Sequence, residues 1–278
     1  MSQLLEIKDY SRLCIHTQTN KPWDLVQCVN HYHREGIHGI SIWRHLLDSL
    51  PLSKARNIIQ DHDMSVVSHV RGGFFAYADK SKRTRSIEDN LLAIEQAVAI
   101  GAPLLVLVCG ADTNQSQEIS MDQIREGIQN ILPAAEKAGV KLAIEPLHPM
   151  YAADRSAVTS LGQANDMAEQ INSDNVGIAV DVFHLWWDPS LQREISRCGD
   201  LDKLFAFHVC DWNVPMTDML NDRGLMGDGC IDLKQIRGWM VEAGFQGFHE
   251  VEVFSDKYWK TDQQLYLKKI KQAYLNYT

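Results

Sequence analysis

The 278-residue chain lacks any Cys-x-x-Cys pair: its six cysteines, Cys14, Cys28, Cys109, Cys198, Cys210 and Cys230, lie far apart. That scatter argues against a disulfide framework and for reduced thiols in a cytoplasmic protein. No segment approaches the roughly 20 apolar residues of a membrane-spanning helix. The N-terminal MSQLLEIKDYSRL has no basic region leading into an apolar run, so no leader and no membrane partner is expected. Positive charge is scarce as well. Lys and Arg total 27 against 36 Asp and Glu, a net charge of -9. The one basic run, Lys80 to Arg85, reads as a solvated loop rather than a phosphate track, which disfavours nucleic acid. No linker or repeat divides the chain, and 45% apolar content allows a large core.

What is present is alternation. Leu13 to His16, Ile37 to Trp43 and Met64 to His69 read as strands separated by helical spacing. Ser86 to Ile100 reads as an amphipathic helix capped by Ser86 and closed at Gly101. Leu104 to Val108 and Val140 to Glu145 are apolar strands around a helix from about Ser120 to Ala138, and a helix from about Ser160 to Ile171 precedes VGIAVD, which ends in Asp181. Phe205 to His208 ends on an imidazole. A long loop, a helix from Asp232 to Ala243, a strand from Phe248 to Phe254 and a terminal helix from about Asp262 to Tyr274 complete the chain. Some eight strand-helix units imply an α/β fold, a single (β/α)8 TIM barrel over residues 1–278, with a doubly wound open sheet as the alternative.

In a barrel, the strand C-terminal ends share one mouth. The fifth to eighth strands would deliver Glu145, Asp181, His208 and Glu252 there; Glu250 shares a face with Glu252, which lies nearer the exit and is preferred. Three carboxylates about 5 Å apart repel by roughly 3 kcal/mol per pair at an effective dielectric near 20. One divalent cation reverses that sign, Mn2+ ahead of Mg2+, Co2+ or Zn2+, with ligand positions left for water or substrate. The bland alternative is that Asp181 caps the following helix and His184 packs.

Ala-Ile-Glu145-Pro, Val-Asp181-Val-Phe-His184, Ala-Phe-His208-Val and Val-Glu252-Val-Phe-Ser resemble the xylose-isomerase-like barrel superfamily of sugar isomerases and epimerases, closest to its inosose isomerase and ketose 3-epimerase branch. The resemblance implies that Glu145, Asp181, His208 and Glu252 are metal ligands, that His184 and Arg223 bind substrate, and that Glu145 and Glu252 form the acid-base pair. It implies isomerisation or epimerisation of a small ketose, inosose or related polyol by proton transfer through a metal-stabilised enediolate. His148, His69 with Arg71, and Trp186 with Trp187 are further candidates for substrate contact. His16, Arg44, Cys109 and Trp212 read as packing. Gly227-Asp228-Gly229 is a poor phosphate cradle because Asp228 has the wrong sign, so an unphosphorylated substrate is expected. Alternatives are a dehydratase of an inosose or dehydroshikimate-type substrate, and a noncatalytic sugar-binding barrel. An endonuclease-IV-like activity is opposed by the acidic surface and the missing histidines. A homo-oligomer remains open.

Overall fold

A computed structural model describes residues 6–278; the expectation concerning the first residues, 1–5, lies outside them. Eight parallel strands close on themselves: β1 (Leu13–His16), β2 (Gly39–Trp43), β3 (Ser65–Gly73), β4 (Leu104–Val108), β5 (Lys141–Glu145), β6 (Val176–Asp181), β7 (Leu204–Val209) and β8 (His249–Val251). Closure of β1 onto β8, with Cys14 opposite Glu250, excludes the open-sheet alternative. The principal helices between and after the strands are α1 (Leu25–Arg34), α2 (Leu52–Asp61), α3 (Lys80–Ile100), α4 (Gln117–Ala138), α5 (Leu161–Ile171), α6 (Leu191–Asp200), α7 (Leu233–Glu242) and α8 (Gln263–Tyr277). No helix among the described residues is long and apolar enough to cross a membrane.

Local chemistry sets these boundaries. Every residue of β4 and β6 is buried, as expected of parallel strands sheathed by helices. Asp24 and Gln27 form a capping box at the start of α1, while Gly101 and Gly139 end α3 and α4 at φ of 78° and 68°. The basic run Lys80 to Arg85 is not a loop. Asp79 accepts from Ser81 N at 2.7 Å and starts α3 six residues earlier than expected, placing Ser86 inside the helix, where its hydroxyl donates to Gly73 O.

Strand alternation positions the site. Val70, Leu104, Val106, Ala143, Ala179 and Ala206 form an apolar cluster inside the barrel. Two residues beyond three of them stand Glu145, Asp181 and His208, and β8 adds Glu250 and then Glu252 just past its end. Small alanines below and charged side chains above are therefore products of one two-residue period.

Candidate metal centre and active site

Donor atoms of Glu145, Asp181, His208 and Glu252, all four buried, lie within 4.8 Å of one another. Oxygen and nitrogen ligands at about 2.1 Å from one ion stand roughly 3–4 Å apart, so this set fits a single divalent cation. Its hydrogen bonding points the same way. His208 Nδ1 is 2.8 Å from Glu145 Oε1, an ion-pair contact, and both atoms are buried without a hydrogen-bond partner, as is His208 Nε2. Burial disfavours the His208 imidazolium, yet the Glu145 carboxylate and the charges of Glu250 and Glu252 outweigh it and push the ring up to about 10. The protein itself thus gathers concentrated negative charge at one point.

The layer beneath is different. Glu250 Oε2 accepts from Ser41 at 2.6 Å and Ser68 at 2.8 Å, and lies 3.2 Å from His16 Nε2. The other nitrogen of His16 stands 2.9 Å from Glu252 Oε1. Burial opposes protonation of His16, but its two glutamates raise it above the ordinary histidine value. His16, expected only to pack, therefore joins the upper carboxylate to the lower one. Its sequence signal was available: β1 ends on an imidazole, as the Phe205 to His208 run does.

Arg223 comes from the loop after β7. Its Nη1 donates to Asp181 and Glu252, each at 2.9 Å, and its plane lies over the Phe183 ring at 4.4 Å. Asp181 and Glu252 nevertheless shift in opposite directions. Burial prevails over Arg223 at Asp181, raising it to about 6; at Glu252 burial also raises, but His16 joins Arg223 and together they hold it well below the usual carboxylate range. Arg223 Nη2 is 3.1 Å from His184 Nε2 and can only donate, so that nitrogen accepts and Nδ1 carries the hydrogen. Burial and then Arg223 keep His184 neutral, and its Nδ1 is a buried donor without a partner. Asp181 also accepts from Phe183 N at 2.8 Å, so it caps the short helix Val182–Leu185 while belonging to the cluster. The Arg223 loop is tied by Asp211, which accepts from the amides of Trp212, Gly227, Gly229 and Ile231 at 2.8–3.0 Å. The glycine amides expected to be unsuited to phosphate are already bound to this internal carboxylate.

Above the cluster, Glu145, Glu252, His184 and Arg223 line a cavity of about 150 Å³ together with Trp43, Arg71, Tyr151, Arg155 and Phe254. His69 is not among them. Ser68 and Val70 face inward, so the intervening His69 faces α3, where its ring meets Ile42 O at 3.0 Å and Gln96. A register irregularity between Val70 and Gly72 accompanies the entry of Arg71 instead. His148 and Trp186 also lie outside the cavity lining. His148 accepts from Met150 N and packs beside Trp187 and Trp212, while Trp186 packs on Trp212 at 5.4 Å. Sequence reasoning missed Tyr151, Arg155 and Phe254, whose approach depends on how the loops fold.

The barrel and this mouth define the class: residues 30–273 match the family Xylose isomerase-like TIM barrel, and the chain belongs to it. Among individual relatives, an inosose isomerase of Halalkalibacterium halodurans is 25% identical over 275 residues, covering 94% of each chain. This relationship marks the protein as an enzyme of the isomerase type. The solved structure of a Sinorhizobium meliloti 1021 protein superposes with a TM-score of 0.94 at 42% identity, covering 96% of this chain and 98% of that one. The IOLI protein with a bound zinc atom shares the fold with a TM-score of 0.84 at 23% identity, covering 95% and 97%.

Proposed function

We propose that this protein is a divalent-metal-dependent isomerase or epimerase of a small keto-polyol, an inosose or a ketose, acting by proton transfer beside the carbonyl. The observation that carries this reading is the buried pair His208 Nδ1 and Glu145 Oε1, facing each other without hydrogen bonds inside a four-donor cluster. Glu145, Asp181, His208 and Glu252 would hold the ion. Once bound, it supplies positive charge against the negative charge that develops on the substrate oxygens.

The remaining work falls to the chain. Glu145 and Glu252 come from β5 and the end of β8, two separate walls of the cavity. One carboxylate takes the proton from the carbon beside the carbonyl and the other returns a proton, to the neighbouring carbon or to the opposite face of the same carbon. Positioned proton transfer of this kind contributes about 10² to 10⁴ in rate. The neutral His184 offers its free Nδ1 hydrogen to a substrate oxygen, and Arg223 holds Asp181 and Glu252 in place while fixing the His184 tautomer. The aromatic walls limit access of water. The inosose isomerase relative supports a cyclitol or sugar as substrate.

Incubation of the Mn2+-loaded protein with inososes and ketoses in D2O tests this reading. Deuterium should enter at the carbon beside the carbonyl without appearance of an enone absorbance, and Glu145→Gln or Glu252→Gln should lower incorporation at least 100-fold. Enone formation would identify a dehydratase instead. Retention of ligand binding and cellular function by both variants would identify a noncatalytic barrel.

A further inference from the structure

Three arginines line the cavity, and their partners differ sharply. Arg223 is neutralised by Asp181 and Glu252 at 2.9 Å. Arg71, half-buried at the β3 mouth, has no carboxylate within ion-pair distance among the described residues; its guanidinium rests on the Phe74 ring at 4.3 Å. Asp89 on α3 is engaged by Arg44 through two bonds of 2.7 and 2.8 Å. Arg155, on the loop after β5, is a third exposed, and among the described residues the one carboxylate within ion-pair distance of it is the adjacent Asp154 at 3.9 Å, itself two-thirds exposed. Burial and then the charge of Arg155 pull Arg71 below the usual arginine value, against the opposing charge of Glu145, and both guanidiniums line the same cavity.

The charges of the deep site balance without them. A divalent cation and Arg223 offset the three carboxylates of Glu145, Asp181 and Glu252, while Glu250 is held by Ser41, Ser68 and His16. Arg71 and Arg155 are left as excess positive charge at the upper wall of the cavity, in a chain whose net charge is -9. A general basic surface does not explain them. Two planar guanidinium forks facing a cavity form a receptor for an oxyanion, carboxylate or phosphate, because each can donate two parallel hydrogen bonds.

We propose that the substrate is an acidic keto-polyol: its carbonyl end reaches Glu145 and Glu252, and a carboxylate or phosphate at its other end is held by Arg71 and Arg155. This rests on the isomerase reading above and adds to it a charge requirement that neutral ketoses and inososes do not meet.

Three compounds with one carbon skeleton provide the test: D-fructose, D-fructuronate and D-fructose 6-phosphate, titrated calorimetrically into the Mn2+-loaded protein. At least one anionic compound should bind at least tenfold more tightly than D-fructose, and added salt should shrink that preference. The better of the two names the anion. Arg155→Met and Arg71→Met should each remove most of the preference, with Arg155→Lys retaining part of it. Arg155, on its partly exposed loop, keeps the test valid should Arg71→Met fold poorly. Equal or tighter binding of D-fructose, no binding of either anion, or a preference that survives both methionine substitutions overturns the proposal. Solvent exchange on the same compounds separates the two readings. Charge preference without exchange at any carbon refutes the isomerase reading, whereas exchange without charge preference refutes the acidic substrate alone.

Discussion

Glu250 and Glu252 stand two residues apart on one inward-facing line, yet one is satisfied by the protein and the other belongs to a cluster that is not. Glu250 is ringed by two serine hydroxyls and an imidazole, all contributed by β1, β2 and β3. Glu252 faces β5, β6 and β7, whose contributions are Glu145, Asp181 and His208. The N-terminal half of the barrel thus supplies donors to a carboxylate, while the C-terminal half supplies mainly acceptors that require a cation. A buried polar layer built from complete hydrogen bonds stabilises; one built from convergent lone pairs prepares a site and draws its compensation from a ligand.

The largest effect should come from breaking the upper layer. Glu145→Gln removes one ligand charge and should weaken Mn2+ binding at least 1000-fold by titration calorimetry; in the metal-free fold the carboxylate repulsion it relieves offsets the counter-charge it takes from His208, so stability should change by less than about 1 kcal/mol. Glu250→Gln should do the reverse in proportion. It leaves His16 without its lower counter-charge and places an amide among groups arranged to donate. The metal-free protein should lose about 1–3 kcal/mol in denaturant unfolding, with metal affinity falling only about 10- to 100-fold. Equal stability losses for the two variants would erase the distinction between the layers.

A smaller effect tests the neighbouring residue on the same strand. His249 faces outward, its Nδ1 2.9 Å from the Tyr274 hydroxyl, and burial followed by the charges of Arg12 and Arg237 pushes it down to about 3. In the unfolded chain it takes a proton near pH 6.5, whereas in the fold it resists until about 3, so its contribution is intact above 6.5 and is lost as pH falls through that window. Acid should cost about 1–3 kcal/mol by pH 4 through this ring. His249→Gln should flatten the slope of stability against pH between 6.5 and 4; an unchanged slope would assign it to other groups, with His69, pushed down by burial to about 4, the next to replace.

The barrel was legible because parallel strands under helices must be continuously apolar, and LLVLV and VGIAV are. The four candidate ligands were legible for a related reason: a charge at the end of such a run has nowhere to go but the mouth. Residues beyond the strand ends were less so. A strand ending at His69 would place that ring at the mouth, whereas β3 continues to Gly73 and alternation turns the ring outward. His148 and Trp186 carry suitable chemistry, but their directions follow from aromatic packing around Trp212, which no spacing along the chain encodes. Arg155 and Tyr151 depend on a loop folding back over the cavity. His16 was discounted because a lone histidine on an apolar face usually packs, and only the closure of β1 against β8 reveals its two glutamates.

Asp211 has a consequence for how a substrate is met. Its four amide bonds knot the segment that carries Arg223 into a fixed arch, so the conformational entropy of that segment is already surrendered when the chain folds. An arriving molecule finds this side of the mouth as a rigid template rather than a flap that must be tamed at each encounter, and more of its contact energy is left to discriminate between stereoisomers.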